Sequence, residues 1–173
     1  MGLGDMQEVM GFDEAQVVAV CDVDTNRVKY AQRLVEKKYS AQSRSGVYKG
    51  CATYKDYREL VARKDIDAVL TVTPDHWHVL PSLAAARAGK DIFLQKPLTL
   101  TIEEGRVLSD TVRRYGRVFQ VGSQQRSDAR FRFACELVRN GRIGKVHTVK
   151  VGFGLDSSTG LCPTMPVPAE LDY

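Results

Sequence analysis

The feature of this chain that most constrains its fold is a repeated alternation of short apolar segments with longer amphipathic ones. Short apolar runs rich in valine, isoleucine and leucine are typical of strands that are buried on both faces. Strands are predicted at residues 16–21, 51–54, 68–72, 91–94 and 118–121. Helices are predicted at residues 25–38, 56–63, 81–89, 101–116 and 129–140. Strands that alternate with helical crossovers in this way predict a mostly parallel α/β sheet covered by helices on both faces.

Capping signals mark the ends of several predicted helices. Asp24 is placed to cap the helix that begins near Thr25. Thr101 and Glu104 have the spacing of a capping box, and Gly116 is typical of the residue at which a helix ends. The helix ends that these capping residues predict agree with the helix boundaries given by the alternation of apolar and amphipathic segments.

The candidate site consists of the residues that follow each strand, because ligands of open parallel sheets bind beyond the carboxyl ends of the strands. These residues are Asp22, 73–78, 95–97 and 122–126. An acidic residue at the end of the second strand of a dinucleotide fold accepts hydrogen bonds from the adenosine ribose and repels a 2′-phosphate. Asp22 in that place favours NAD over NADP. The alternative is a turn or capping aspartate, and position alone leaves the two interpretations even.

Gly2 and Gly4 stand about 20 residues before Asp22, where the glycine fingerprint of a dinucleotide fold is expected. Residues 5–10 can open the helix that follows such a turn, but no strand precedes the glycines. We therefore predict a doubly wound, Rossmann-type parallel sheet that lacks its first strand. That strand is central in the usual order 3-2-1-4-5-6. Its neighbours would face a gap with unpaired backbone groups, which predicts a poorly stable or rearranged chain.

Lys96, followed by Pro97, ends an apolar strand at the place where a nicotinamide and a substrate hydroxyl would meet. A lysine there can polarise or hydrogen-bond the reacting oxygen. The alternative is an ordinary exposed lysine, which the motif alone would favour. The carboxyl end of this strand is thus the predicted catalytic position.

The segment His76, Trp77 and His78 is the other candidate for chemistry. Two histidines one apart share a face on a strand and could ligate a metal, but these lie in a loop that enters a helix, and the remaining histidine is His147. We predict no metal site, and expect the segment to line the nicotinamide side of the pocket. The four cysteines are widely spaced, which favours reduced thiols over a zinc site or a disulfide framework.

Charge and hydropathy argue against nucleic-acid and membrane partners. The 25 basic residues are interspersed with 21 acidic ones. The densest basic cluster has few aromatic partners for stacking on bases; it consists of Arg126, Arg130, Arg132, Arg139 and Arg142, with Phe131 and Phe133. No run approaches the roughly 18 apolar residues of a membrane span. The first residues do not follow the pattern of a signal peptide, so cytoplasm is the default, and a periplasmic location stays open should an export signal precede this sequence.

Two motifs in combination resemble the Gfo/Idh/MocA oxidoreductases. Residues 73–78, Thr-Pro-Asp-His-Trp-His, resemble the family's Thr-Pro-Asn-x-x-His loop, with Asp75 in place of asparagine. Residues 88–90, Ala-Gly-Lys, followed by Gln95, Lys96 and Pro97, resemble its Ala-Gly-Lys and Glu-Lys-Pro signature, whose lysine contacts cofactor and substrate. Gln95 replaces the glutamate, which puts any role of that carboxylate in doubt.

The resemblance implies an oxidoreductase that transfers a hydride between NAD and a hydroxyl of a sugar, inositol or related polyol. Lys96 would be catalytic, and the cofactor would contact Gly2, Gly4, Asp22, Thr73, Pro74, Asp75, His78, Gln95, Lys96, Pro97 and Gln124. NAD-assisted glycoside hydrolysis and an inactive nucleotide-binding fragment remain as alternatives, and a homo-oligomer is left open.

The same resemblance divides the chain into two domains. Residues 1–124 would form the NAD(P)-binding domain, incomplete at its start. Residues 125–173 would begin an α+β substrate domain whose first strand is 146–153. The catalytic histidine that many members carry in that domain is not in this chain, and His147, on the strand itself, does not match it.

Overall fold

The computed structural model describes residues 1–44, 48–152, 154 and 163–172. One compact unit comprises residues 1–122 and the segment that begins at Pro168, and a second comprises residues 123–167. The helices are α1 (Gly2–Val9), α2 (Thr25–Arg44), α3 (Tyr57–Val61), α4 (Val79–Arg87), α5 (Ile102–Tyr115) and α6 (Ala129–Arg139), with a 3-10 turn at Asp75–Trp77. The strands are β1 (Ala19–Cys21), β2 (Ala52–Tyr54), β3 (Ala68–Thr71), β4 (Asp91–Leu94) and β5 (Phe119–Val121).

Helix ends follow from the capping residues. Asp24 Oδ1 accepts a hydrogen bond from the Asn26 amide at 2.8 Å, at the start of α2. At the start of α5, Thr101 Oγ1 accepts from the Glu104 amide and Glu104 Oε2 accepts from the Thr101 amide, so that the predicted capping box is confirmed. Gly116 ends α5 with φ 62°, a left-handed conformation that glycine adopts without steric strain.

The strands form two parallel sheets. β1 pairs with β2, and β3, β4 and β5 pair in that order. These pairings reproduce the two sides of the order 3-2-1-4-5-6, and confirm the parallel Rossmann-type α/β fold. In the described part of the chain β1 and β3 are not hydrogen-bonded to each other. The division therefore falls where the sequence predicts that a strand is lacking.

Each sheet has its own apolar core. The first core packs α1 and α2 against β1, with Val35 fully buried. The second packs α4 and α5 against β3, β4 and β5, where Leu94 and Leu108 are buried. The fully buried Ala85 and Ala86 of α4 allow a close approach of that helix. The predicted burial of the strands on both faces is wrong for much of their length. Among the described strand residues only Thr71, Ile92 and Leu94 are buried, and Phe93 of β4 is exposed.

Helix α1 connects the two halves of this unit. Its Met6 and Met10 are buried in the first core. On the other side, a Cβ built on Gly2 would lie 3.4 Å from Val72 Cβ, just beyond β3. Gly2 and Gly4 lie in the first turn of the helix, which begins three residues before the predicted position 5.

Two predicted elements differ from the structure. α2 continues to Arg44, beyond the predicted residue 38. Buried Tyr39, the first residue past the predicted end, packs on Tyr48 with ring centroids 5.1 Å apart. The strand predicted at 146–153 is wrong for residues 146–152, which are exposed and belong to no helix or strand. A strand needs a hydrogen-bonding neighbour, and the described residues supply none to this segment. Phe153 lies outside the described residues, as does Cys162.

The second unit contains α6 and the basic cluster of the sequence. Asp128 caps α6 by accepting from the Arg130 amide at 2.8 Å, and it also pairs with the Arg130 guanidinium. Arg132 pairs with Glu136 one turn along the helix. Within the described residues, no helix is long and apolar enough to cross a membrane.

Candidate functional site

The ends of three strands place the candidate residues side by side. Thr71 of β3 is in register with Leu94 of β4, and Leu94 with Val121 of β5. The residues that follow these three, which are Val72, Gln95 and Gly122, therefore share the carboxyl edge of the sheet. The loops that carry the Thr-Pro-Asp and Gln-Lys-Pro motifs leave the sheet at this edge.

His78 joins the two motif loops. Its ring is 1% exposed. Nδ1 lies 2.5 Å from the carbonyl oxygen of Pro97, and Nε2 lies 2.9 Å from that of Thr73. With both ring nitrogens engaged by backbone carbonyls, His78 supports the loops, and contact with a ligand falls to its neighbours.

Gln95 is the buried side chain at the centre of this edge. It is 7% exposed, and its Nε2 donates to Asp5 Oδ2 at 2.7 Å. Its Oε1 accepts from the backbone amide of Lys96 at 2.8 Å. The amide group is thus used as donor and acceptor at once, and it ties β4 to helix α1.

Gly122 is required by the close approach of two side chains. A Cβ at this position would lie 2.9 Å from Phe93 Cε1 and 3.0 Å from Gln95 Oε1. Any larger residue would displace one of them. The end of β5 therefore helps to hold the Gln95 amide in place.

Lys96 is exposed, in contrast to the residue before it. Its peptide bond to Pro97 is cis. Among the residues that the structure describes, no acidic group forms an ion pair with Lys96. The ammonium group is therefore free to meet a ligand while its backbone is held on both sides, by Gln95 and by His78.

Lys90, the lysine of the Ala-Gly-Lys motif, has a different environment. It is buried, and its Nζ donates to the carbonyl oxygen of Arg63 at 2.6 Å. This contact fixes the start of β4 and lies at the opposite end of that strand from Lys96. The two motif lysines thus provide a matched pair for experiments.

Asp22 follows β1 and both stabilises a turn and leaves an oxygen for a ligand. Oδ1 accepts from the Asp24 amide at 2.9 Å, which is the turn role that the sequence left open. Oδ2 has no hydrogen-bond partner among the described residues. Burial, with the nearby Asp22 charge as a smaller cause, raises the pKa of Cys21 to about 11.

A chain segment that sequence analysis missed packs beside Asp22. The Thr25 amide donates to the carbonyl of Glu170 at 3.1 Å, and the Asp172 amide donates to the carbonyl of Val23 at 3.1 Å. Lys55 pairs with Asp172 at 2.7 Å. These partners are far apart in sequence, so no local pattern could have indicated the contact.

The remaining predicted residues are exposed or lie in the other unit. Thr73, Pro74 and Asp75 are exposed at the loop after β3. Gly4 has no atom within 4 Å of a Cβ built on it, so there is open space beside its Cα, although its amide donates to the carbonyl of Met1 at 2.8 Å. Gln124 is exposed and belongs to the second unit. The described residues contain no cluster of three or more histidine, cysteine, aspartate or glutamate side chains able to hold a metal.

Comparisons with known proteins agree with this arrangement. Residues 2–123 match the sequence model of the oxidoreductase family with the NAD-binding Rossmann fold, Gfo/Idh/MocA. The myo-inositol 2-dehydrogenase of Thermotoga maritima is 28% identical over 161 residues, which are 93% of this chain and 41% of the enzyme. A glycosyl hydrolase family 109 protein of Shewanella amazonensis is 34% identical over 110 residues, 64% of this chain and 23% of that protein.

A solved structure supports the same fold. It is the scyllo-inositol dehydrogenase from Lactobacillus casei with bound NAD(H) and scyllo-inositol, with a TM-score of 0.66 and 27% identity over 82% of this chain and 39% of that one. The chain thus spans about two fifths of the length of the curated relatives that it matches over most of its own length. Because the family model covers well over half of the sequence and the strand order agrees with it, the chain belongs to the Gfo/Idh/MocA family of oxidoreductases.

Proposed function

We propose that this chain binds NAD and forms the cofactor-binding part of an oxidoreductase that acts on a hydroxyl group of a sugar, an inositol or a related polyol. The observation that carries the proposal is the contrast between Lys96 and its surroundings. The ammonium is exposed at the strand edge, while the backbone on either side is fixed by Gln95 and His78. A positive charge held in this way is more typical of a lysine that contacts a ligand than of an ordinary surface lysine.

The donors and acceptors at this edge fit a dinucleotide. Asp22 Oδ2 can accept from a ribose hydroxyl, and its charge opposes a 2′-phosphate, which favours NAD over NADP. Gly4 lies in the first turn of α1 with open space beside its Cα, and the helix dipole there favours an anionic group such as a pyrophosphate. Thr73, Pro74, Asp75 and Pro97 are proposed as further contacts.

The nicotinamide, when bound, supplies the hydride chemistry. The chain's own contribution is to orient the ring and to stabilise charge on the substrate oxygen. Lys96 Nζ would donate a hydrogen bond to that oxygen and stabilise negative charge that develops on it. His78 would keep the two loops that frame this position at a constant separation.

A titration of the chain with NADH tests the first part of the proposal. Trp77 is the only tryptophan in the sequence and is half-exposed beside the site, so energy transfer from its excited indole to bound NADH reports binding. We expect saturable binding of NADH and at least about tenfold weaker binding of NADPH, the size of one repulsive contact. Trp77→Phe is the control for the signal. Absence of saturable binding for both nucleotides would refute the proposal.

The hydrolase relative favours a second candidate, in which tightly held NAD assists the cleavage of a glycosidic bond. The two functions differ in their net products. A dehydrogenase accumulates NADH in proportion to the polyol consumed, whereas an NAD-assisted hydrolase releases sugar with no net formation of NADH. Measuring NADH absorbance and released sugar in one reaction mixture distinguishes them.

A further inference from the structure

We propose that Asp5 is a positioning residue for Lys96, and that it acts through Gln95. The inference rests on the proposed function, because it concerns how the exposed ammonium of Lys96 is presented to NAD. The observation behind the inference is a different one from that behind the proposed function. Gln95 Nε2 donates a hydrogen bond of 2.7 Å to Asp5 Oδ2, which joins residues 90 positions apart.

The side chain at position 95 needs a donor and an acceptor at the same time. Oε1 accepts from the Lys96 amide and Nε2 donates to Asp5. Glutamate in its ionised form can only accept, and at this distance it would set two carboxylates against each other. Asp5 therefore explains why glutamine suits position 95 in this chain.

The Gln95 amide has little freedom to move away from these partners. It is buried, and its Oε1 lies 3.0 Å from the position that a Cβ on residue 122 would take, so Gly122 packs directly on it. Its backbone amide also donates to Thr71 at 3.0 Å. A disturbance of the contact with Asp5 would thus be passed to the Lys96 peptide bond.

Asp5 lies on the helix that carries the proposed cofactor contacts Gly2 and Gly4. Its side chain is directed to Gln95 across the carboxyl edge of the sheet. One hydrogen-bonded chain therefore connects the helix start, where a pyrophosphate would bind, with the lysine that would face the nicotinamide end. The pair sets the position of Lys96 relative to that helix.

Exchanging donor and acceptor tests the pair. In Gln95→Glu two carboxylates face each other, and we expect NADH binding about tenfold weaker, the loss of one hydrogen bond to a charged group. Asp5→Asn alone leaves binding within about threefold, because its amide can turn its oxygen toward Gln95. Asp5→Asn combined with Gln95→Glu restores the hydrogen bond with its direction reversed, and binding should return to within about threefold of the unaltered chain.

The matched control combines Gln95→Glu with Asp13→Asn, which removes the same charge at an exposed site in this unit and should rescue nothing. If Gln95→Glu does not fold alone, recovery of a folded protein when Asp5→Asn, but not Asp13→Asn, is added to it serves as the readout. In that case Gln95→Met, which has a similar volume and no added charge, replaces it in the binding titration.

A thermodynamic cycle with Lys96→Met separates positioning from simple structural support. If Asp5 and Gln95 act through Lys96, the effect of Gln95→Glu on NADH affinity is largely lost once Lys96 is methionine. Equal effects in both backgrounds, or a double variant no better than the Asp13 control, would overturn the inference. Failure of the unaltered chain to bind NADH would instead refute the proposed function, so the two failures are distinguishable.

Discussion

Replacing His78 by leucine tests the physical basis of the site most directly. The imidazole is almost completely buried and lies between the carbonyl oxygens of Thr73 and Pro97, at 2.9 and 2.5 Å. Leucine fills a similar volume but donates no hydrogen bond. An imidazole in its neutral form donates from one ring nitrogen, so the change takes the hydrogen-bond donor from one of the two carbonyls, while the packing around α4 is largely kept.

The magnitude follows from the environment of those carbonyls. Leaving a buried acceptor unsatisfied costs about 1–3 kcal/mol. Thr73 and Pro97 are themselves exposed, so water can reach part of each carbonyl, and the lower part of the range applies. We expect the free energy of unfolding to fall by about 1–2 kcal/mol. For a protein of this size that corresponds to a decrease in Tm of about 2–8 °C.

The assay is thermal unfolding followed by circular dichroism, with NADH affinity measured on the folded protein. His78→Asn keeps one donor near the Nδ1 position and should lose about half as much stability. His76→Leu, an exposed histidine two residues earlier, should leave Tm unchanged. A Tm for His78→Leu within about 1 °C of the unaltered chain would show that these carbonyls do not depend on the ring.

Three further predictions concern single side chains. Lys96→Met should weaken NADH binding with little change in Tm. Lys90→Met removes a buried hydrogen bond to a backbone carbonyl, so it should lower the free energy of unfolding by about 1–3 kcal/mol and leave the NADH affinity of the folded protein unchanged. The reversed pattern in the same titrations and melting curves would contradict the roles given to the two lysines. Asp22→Ser should reduce the preference for NADH over NADPH, measured by parallel titrations, and an unchanged ratio would remove the proposed ribose contact. Because burial raises the pKa of Cys21 to about 11, this thiol stays neutral at about pH 8, where iodoacetamide should modify the exposed Cys135 first. Modification of Cys21, followed by peptide mass spectrometry, should accelerate only as the pH approaches 11. Labelling of Cys21 as early as Cys135 would contradict this prediction.

The sheet and its helices were predictable because their signals are local. Strands of a parallel sheet that packs against helices are apolar along most of their length, and β4 shows this in three consecutive residues from Ile92, although Phe93 among them is exposed. The capping box of Thr101 and Glu104 lies within one turn of helix. Each such pattern involves residues that are close in sequence, so it can be recognised without the structure.

The features that the sequence did not reveal depend on partners far along the chain. The contact between Asp5 and Gln95 spans 90 positions, and Asp5 alone has only the pattern of a residue that opens a helix. The segment 146–152 shows the reverse case, since its apolar alternation is typical of a strand but no described residue pairs with it. Burial of the His78 ring likewise depends on the carbonyl of Pro97, 19 positions away.

Because the strands form two separate sheets, the short helix α1, of eight residues, helps to hold the two halves of the unit together. β1 and β3 do not share hydrogen bonds in the described chain, so side chains must connect the two halves. Met6 and Met10 bury their side chains in the core of β1 and α2, while Asp5 on the same helix bonds to Gln95 at the end of β4. At the opposite end of the strands, Arg63 Nη1 donates to the carbonyl of Val18, just before β1. Helix α3 also links the halves, because it contacts β1 and β2 while its Val61 is buried in the second core. A ligand that bound to α1 and to Lys96 together would add to these links, and would therefore stabilise the folded unit by more than its contacts with either half alone.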